Sequence, residues 1–257
     1  MERPRKPLPT RVDETPGLPA AFDTALQPGL DALGLDLDKE ARAAITGHVR
    51  LLLAWTGAIN LTAIREPGAV AIGHVADSLS AVPVLRQRGI DRFVDLGSGA
   101  GYPGLPLAVA LPAARALLAE PIGKKTGFLN TVIAAVGLQA TVDAAAVRAE
   151  LLAGDARHRG RWSAVTARAV AGLADLVELS FPLLAPGGLL IAWKRGDLAA
   201  ELEAAGRAVD ALGGGRLEVL PVPVPGLEAH RLVVATTAGR VPAAYPRDPG
   251  ARKRRPW

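Results

Sequence analysis

The chain has 257 residues, 49% of them hydrophobic, enough for one good core plus a small accessory module. It contains no cysteine, which excludes disulfides, thiolate metal sites and a cysteine nucleophile, and its four histidines (His48, His74, His158, His230) are too scattered for a zinc site. The formal charge is +5, and neither a signal-like segment nor an apolar run of about 18 residues is present, so the expectation is a cytoplasmic protein with no membrane span.

Residues 1–28 contain six prolines and read as a flexible leader. Its first 11 residues carry Arg3, Arg5, Lys6 and Arg11 against Glu2, a net of +3. From Asp38 to Thr56, Ile45, Val49, Leu52 and Trp55 recur at helical spacing, and Gly57 is expected to end that helix. Asn60 to Ile64 forms an irregular link. Glu66-Pro67 restarts a helix, since proline suits the first helical position, and Val75, Leu79 and Val82 continue its apolar face. His74, Asp77 and Ser78 stand at i, i+3 and i+4, so they share one side of that helix. Residues 29–88 are thus predicted to be a helical module.

From 89 to 238 short apolar runs alternate with amphipathic stretches. Strands are predicted at Arg92–Leu96, Ala114–Ala119, Ala140–Asp143, Trp162–Ala167, Leu189–Trp193, Leu217–Val222 and Arg231–Thr236. Helices fit at Gly104–Ala110, Lys124–Val136, Leu173–Leu184 and Leu198–Leu212. The alternation predicts an α/β fold with a seven-stranded, mostly parallel, doubly wound sheet. The final strand follows a short loop with Pro225-Gly226 and is expected to pair antiparallel at the sheet's end. Residues 239–257 hold six basic groups against Asp248, a net of +5 that leaves residues 1–238 at zero. Basic arms on a neutral-to-acidic body suit a polyanionic partner, unless they are merely solvated.

The phrase Val94-Asp95-Leu96-Gly97-Ser98-Gly99-Ala100-Gly101-Tyr102-Pro103-Gly104 runs from a strand through a small-residue loop into a helix. Such loops admit positive φ, let backbone approach a ligand and present free N–H donors. The segment from Gly99 to Gly104 formally satisfies the dinucleotide fingerprint, so a nicotinamide-dependent oxidoreductase is one reading. Glu120, near the end of the second strand, suits ribose hydroxyls in either case. Asp95 favours S-adenosylmethionine, because a carboxylate sits badly beside a pyrophosphate and well beside a cationic ligand. Phe181 to Leu190, with its Pro-Gly-Gly turn before a strand, resembles the corresponding phrase of seven-stranded methyltransferases.

Absences narrow the acceptor. Pyrimidine C5 methylation normally uses a cysteine, which this chain lacks. Exocyclic-amine methylation typically uses an Asn/Asp-Pro-Pro-aromatic motif, where this chain has Thr166-Ala167-Arg168-Ala169-Val170. Guanine N7 needs neither: it has a lone pair and no proton to remove, so placement is the main requirement.

Asn60-Leu61-Thr62, His74 to Leu79, Val94 to Leu107, Gly123-Lys124-Lys125 through Phe128-Leu129, Arg148-Ala149-Glu150 and Thr166 to Ala169 form an ordered series. Ala192-Trp193-Lys194, His230 to Val234 and Tyr245-Pro246-Arg247 complete it. The series resembles the glucose-inhibited division protein B family, the bacterial 16S rRNA guanine-N7 methyltransferases called RsmG. The resemblance implies a Rossmann-like class I methyltransferase using S-adenosylmethionine, with N7 of guanine 527 of 16S rRNA as acceptor, in naked RNA or the small ribosomal subunit. It also implies that Asp95, Gly97, Gly99, Gly101, Tyr102, Glu120, Ala149 and Glu150 line the cofactor site, with Arg168 at the cofactor–substrate junction. Asn60, His74, Asp77 and Ser78 would close over the base. Lys124, Lys125, Arg148, Lys194 and Arg247 would meet RNA phosphates. No metal is implied, a monomer is the simpler state, and a non-catalytic rRNA-binding assembly factor is the second rival reading.

Overall fold

The computed structural model describes residues 7–257, so Arg3, Arg5 and Lys6 of the leader lie outside the described residues. Helix α1 (Ala21–Leu33) buries Phe22, Leu26 and Leu30. Helix α2 (Lys39–Ile59) starts where the Asp38 carboxylate accepts from Ala41 N at 2.7 Å. It continues through Gly57 and stops at Asn60, whose φ of 47° is the left-handed conformation that asparagine tolerates. A second, continuous helical stretch comprises α3 (Pro67–Val70), a π-helical segment (Ala71–Ala76), α4 (Asp77–Leu79) and α5 (Val82–Gln87). The Glu66 carboxylate opens it by accepting from Gly68 N at 2.9 Å and Ala69 N at 2.5 Å. By length and composition Pro67–Gln87 resembles a membrane span, yet Val70, Val75, Leu79, Val82 and Leu85 are all buried within the protein.

The rest alternates strand and helix: β1 (Arg92–Leu96), α6 (Gly104–Ala110), β2 (Arg115–Ala119), α7 (Gly123–Ala135), β3 (Val142–Ala145), α8 (Ala149–Gly154) and β4 (Trp162–Arg168). Then follow α9 (Leu173–Ser180), β5 (Leu184–Arg195), α10 (Ala199–Ala211), β6 (Gly215–Pro221), β7 (His230–Thr237) and α11 (Pro249–Arg254). The sheet order is β3-β2-β1-β4-β5-β7-β6, with β1 to β5 parallel and β7 antiparallel to both neighbours. The seven-stranded sheet is the expected one, although β7 is inserted beside β5 and β6 takes the edge.

Side-chain alternation splits the sheet into two faces. Phe93, Ala164, Ile191, Trp193, Leu232 and Val234 face the helical module, α6 and α7. Val94, Val165, Ala192, Val233 and Ala235 face α8, α9 and α10. This parity decides which strand residues reach the site.

Two expectations are corrected, and the state of the tail, left open above, is decided. The leader is not without structure: Phe22, Leu26, Leu30 and Leu33 form a helical stripe, Trp55 Nε1 donates to Pro9 O at 2.7 Å, and Arg50 binds the carbonyls of Thr15 and Pro16. The Pro-Gly-Gly phrase is not a turn between helix and strand but an irregular part of β5. Pairing with β4 jumps there from Trp162↔Leu184 to Ala164↔Leu189. The basic tail folds back on the protein, with Arg159 donating to Tyr245 O at 2.8 Å and Pro242 O at 3.1 Å.

Candidate active site

The loop after β1 lies at the carboxyl edge of the parallel strands, where α/β sheets bind ligands. Gly97 N donates to Ala119 O at 2.8 Å, which ties the loop to the neighbouring strand. Glu120 completes that tie: its carboxylate accepts from Gly99 N and Ile122 N, both at 2.9 Å. A Cβ on Gly97 would lie 2.7 Å from Val170 Cγ2, and its φ of 67° is itself left-handed. Small residues are therefore required for both conformation and space. A glycine-rich turn held beside a buried acid at this edge fits a nucleoside-type cofactor such as S-adenosylmethionine.

Asp95 has a different position from the one expected. It is fully buried on the face toward α6, where Thr166 Oγ1 donates to it at 2.8 Å and Gly104 N at 3.2 Å. Burial pushes its pKa up to about 6. Its carboxylate thus fastens the first turn of α6 under the loop and presents no face to a ligand. Asp95 thereby positions the loop.

Tyr102 links this loop to the helical module. Its ring stacks on His48 of α2 (centroids 4.5 Å apart) and on His74 of the π-helical segment (4.8 Å), while Arg168 lies 5.5 Å over the ring. His48 also donates from Nε2 to Ala100 O, inside the loop, at 2.7 Å. Burial pulls the His48 pKa down to about 4; burial and then the Arg168 charge do the same for His74. Both rings are neutral at pH 7. The Tyr102 hydroxyl is buried with no hydrogen-bond partner among the described residues, and burial raises its pKa.

Asp77 forms the second half of the site. It is 2% exposed and binds Arg168 Nη1 at 2.8 Å through Oδ2 and His230 Nδ1 at 2.9 Å through Oδ1. Trp193 Nε1 donates to its backbone carbonyl at 2.7 Å. Arg168 also approaches Gly73 O at 3.3 Å and His74 Nδ1 at 3.4 Å. His74 Nε2 lies 2.7 Å from Thr62 Oγ1, which joins the Asn60–Ile64 link to the cluster. Arg168, Trp193 and His230 all stand at strand ends on the face toward the helical module. Asp77, from a helix, brings them together.

Other predicted residues are placed differently. Ser78 is buried, and its hydroxyl donates to His74 O at 2.5 Å within its own helix, so it presents no free group to a base. Asn60 caps α2 with an exposed side chain. Lys194 has the opposite parity to Trp193 and pairs with Glu201 at 2.6 Å, on the α10 side. Arg247 grips the buried Glu178, with Nη2 to Oε2 at 2.6 Å and Nε to Oε1 at 3.0 Å. Lys194 and Arg247 are therefore structural rather than free for phosphates. Glu150, although beside Ala149 at the start of α8, is paired with Arg252 of the tail. Its burial opposes ionisation, but the Arg252 partner outweighs this and holds its carboxyl below the ordinary value. Lys124 and Arg148 are exposed and Lys125 half-buried, with no ion pair among the described residues. No group of three or more metal-ligating side chains occurs among the described residues.

Sequence reasoning left His48, Trp193 and His230 out of the site. His48 stands three residues after Ile45 and four before Leu52, within the apolar stripe of α2, and a histidine there was the available signal. Trp193 and His230 needed the strand order, which brings them beside Arg168.

Comparison with known proteins identifies the family and the fold. The GidB family profile, described as rRNA small subunit methyltransferase G, matches residues 41–223. Ribosomal RNA small subunit methyltransferase G of Dehalococcoides mccartyi strain CBDB1 is 39% identical over 229 residues, 89% of this chain and 97% of its own. The protein of the same name from Roseiflexus sp. strain RS-1 is 39% identical over 225 residues, 88% of this chain and 95% of its own. Among solved structures, an O-methyltransferase of Bacillus cereus in complex with SAH shares the fold at a TM-score of 0.54 and 13% identity, covering 84% of this chain and 100% of that one. Family membership replaces the nicotinamide reading with methyl transfer. The chain belongs to the rRNA small subunit methyltransferase G family.

Proposed function

We propose that this methyltransferase transfers the methyl group of S-adenosylmethionine to N7 of guanine 527 in 16S rRNA. The observation that carries this reading is the position of Arg168, which lies over Tyr102 of the cofactor loop while bonded to Asp77 of the helical module. One side chain thus spans the cofactor side and the substrate side.

When bound, the cofactor supplies an electrophilic methyl on a sulfonium. The loop backbone and Glu120 hold its nucleoside end. N7 carries no proton, so no general base is required, and Asp77 with both oxygens engaged is a positioning residue. It fixes the Arg168 fork and the His230 ring, which then orient the acceptor base in line. Neutral His74 adds no positive charge beside a ring that becomes cationic on methylation. Lys124 and Lys125, in the first turn of α7, and Arg148, just before α8, stand along the carboxyl edge and meet the flanking phosphates.

The test is transfer of labelled methyl to naked 16S rRNA, intact small subunits and large-subunit RNA. Label recovered as 7-methylguanosine in 16S rRNA is expected. Label confined to other nucleotides or to large-subunit RNA would overturn the assignment. Donor binding without any transfer would instead favour an rRNA-binding assembly factor.

A further inference from the structure

Of the tail's six cations, all but Arg240 fall into two groups. Arg247 and Arg252 point inward, to Glu178 of α9 and Glu150 of α8. Trp257 Nε1 adds a bond to Glu178 Oε2 at 2.7 Å, and the Arg247 guanidinium lies 4.5 Å over the Trp257 ring. The tail's own acid, Asp248, caps α11 by accepting from Ala251 N at 2.9 Å. Lys253, Arg254 and Arg255 are left exposed, with no ion pair among the described residues. The helix dipole gives Lys253 and Arg254 a local reason to sit in the last turn of α11, but not Arg255 beyond it.

We propose that Lys253, Arg254 and Arg255 form a phosphate-binding rim for the rRNA substrate, held in place by the inward pair Arg247 and Arg252. The proposal rests on the rRNA reading above. Its location supports it: Arg252 reaches Glu150 in the first turn of α8, directly after exposed Arg148 at the carboxyl edge of β3. The rim therefore extends the charged edge already defined by Arg148. Because the anchoring pairs are charge-assisted and Glu178 is buried, the backbone that carries these cations is held in place, and less ordering entropy opposes binding.

The experiment is equilibrium binding of full-length protein to a 16S rRNA fragment containing the acceptor guanine, across a salt series. Each phosphate contact contributes roughly 0.7–0.9 to the slope of log K against log salt. Lys253→Gln/Arg254→Gln/Arg255→Gln should lower the slope by roughly two to three and weaken binding at least about tenfold at moderate salt. S-adenosylmethionine affinity and melting temperature should stay at wild-type values. A charge-preserving Lys253→Arg/Arg254→Lys/Arg255→Lys variant should bind RNA as wild type. If the neutral variant keeps the wild-type slope and affinity, the rim is refuted while the rRNA reading stands. If wild-type protein binds no 16S rRNA, both are refuted. Tighter binding to anionic phospholipid vesicles than to RNA through the same three residues would also overturn the proposal.

Discussion

Asp77 and His230 meet at 2.9 Å although 153 positions separate them in the chain. The other Asp77 oxygen holds Arg168 at 2.8 Å, so one carboxylate organises side chains from β4 and β7. Asp77→Ala leaves a largely buried guanidinium without its partner and should destabilise the fold by about 3 kcal/mol. Asp77→Asn retains one acceptor, and its main expected effect is a roughly hundredfold loss of kcat/KM from misplacement. Labelled-methyl transfer measures this; unchanged turnover in Asp77→Asn would remove Asp77 from any orienting role.

The two stacked histidines predict an acid-sensitive fold. Their folded pKa of about 4 lies below the unfolded value of about 6.5, so the unfolded chain takes up protons first as pH falls. Their stability contribution is complete above pH ~6.5 and is lost toward pH ~4. Asp95, raised to about 6, acts in the opposite sense, since its protonation favours the folded state between its folded and ordinary values. Two imidazoles outweigh one carboxyl, giving a net loss on the order of 2 kcal/mol between pH ~7 and ~4.5 by urea unfolding. His48→Phe keeps a ring against Tyr102 and should flatten the profile. Equal slopes in both proteins would show that His48 does not titrate in this way.

Glu120→Ala should weaken S-adenosylmethionine binding by roughly ten- to hundredfold, because charge-assisted hydrogen bonds contribute about 1.5–3 kcal/mol each. It frees the amides of Gly99 and Ile122 together. Glu120→Gln retains an acceptor and should fall between alanine and wild type. Calorimetric titration gives the order; a donor affinity that ignores both changes would exclude Glu120 from the site.

Gly97→Ala should destabilise the protein by about 1–2 kcal/mol and impair donor binding, through both its left-handed φ and the clash with Val170. Adding Val170→Ala removes the clash but not the backbone strain. Partial recovery of melting temperature in the double variant is therefore expected. No recovery would mean that conformation alone dictates glycine there.

Glu178 is the buried anchor of the tail. Glu178→Ala leaves Arg247 and the Trp257 indole without their acceptor and should cost about 3 kcal/mol or more. Detachment of the tail should also speed trypsin cleavage after Arg240 and Arg247. Cleavage at the wild-type rate would contradict the anchoring role.

Much of the fold follows from local signals. Gly104–Ala110 and Arg92–Leu96 have the predicted bounds because glycine and charged residues punctuate them sharply. Helix α1 was hidden by its proline-rich neighbourhood, since Pro28, counted in the flexible leader, lies inside the helix. The turn itself was legible at Gly97 and Glu120, whose contacts arise from neighbours close in sequence or on the next strand. Asp95 misled because burial, invisible in sequence, turns its carboxylate inward. Lys194 was open to correction from the strand period alone: Trp193 faces Asp77, so its neighbour must face away. Arg247 and Glu150 needed their distant partners, Glu178 and Arg252, which no spacing rule connects.

The antiparallel placement of β7 bears on how the molecule is made. Among the strands, β6 pairs only with β7, so it has no partner in the sheet until β7 has left the ribosome. His230 is the first residue of that strand, so the Asp77 cluster gains its last member at the same moment. During synthesis the partners of the glycine-rich loop on β2 emerge early, whereas the Asp77 cluster cannot be complete until the sheet closes. Order of translation thus makes the Asp77 cluster the last part of the candidate site to be assembled.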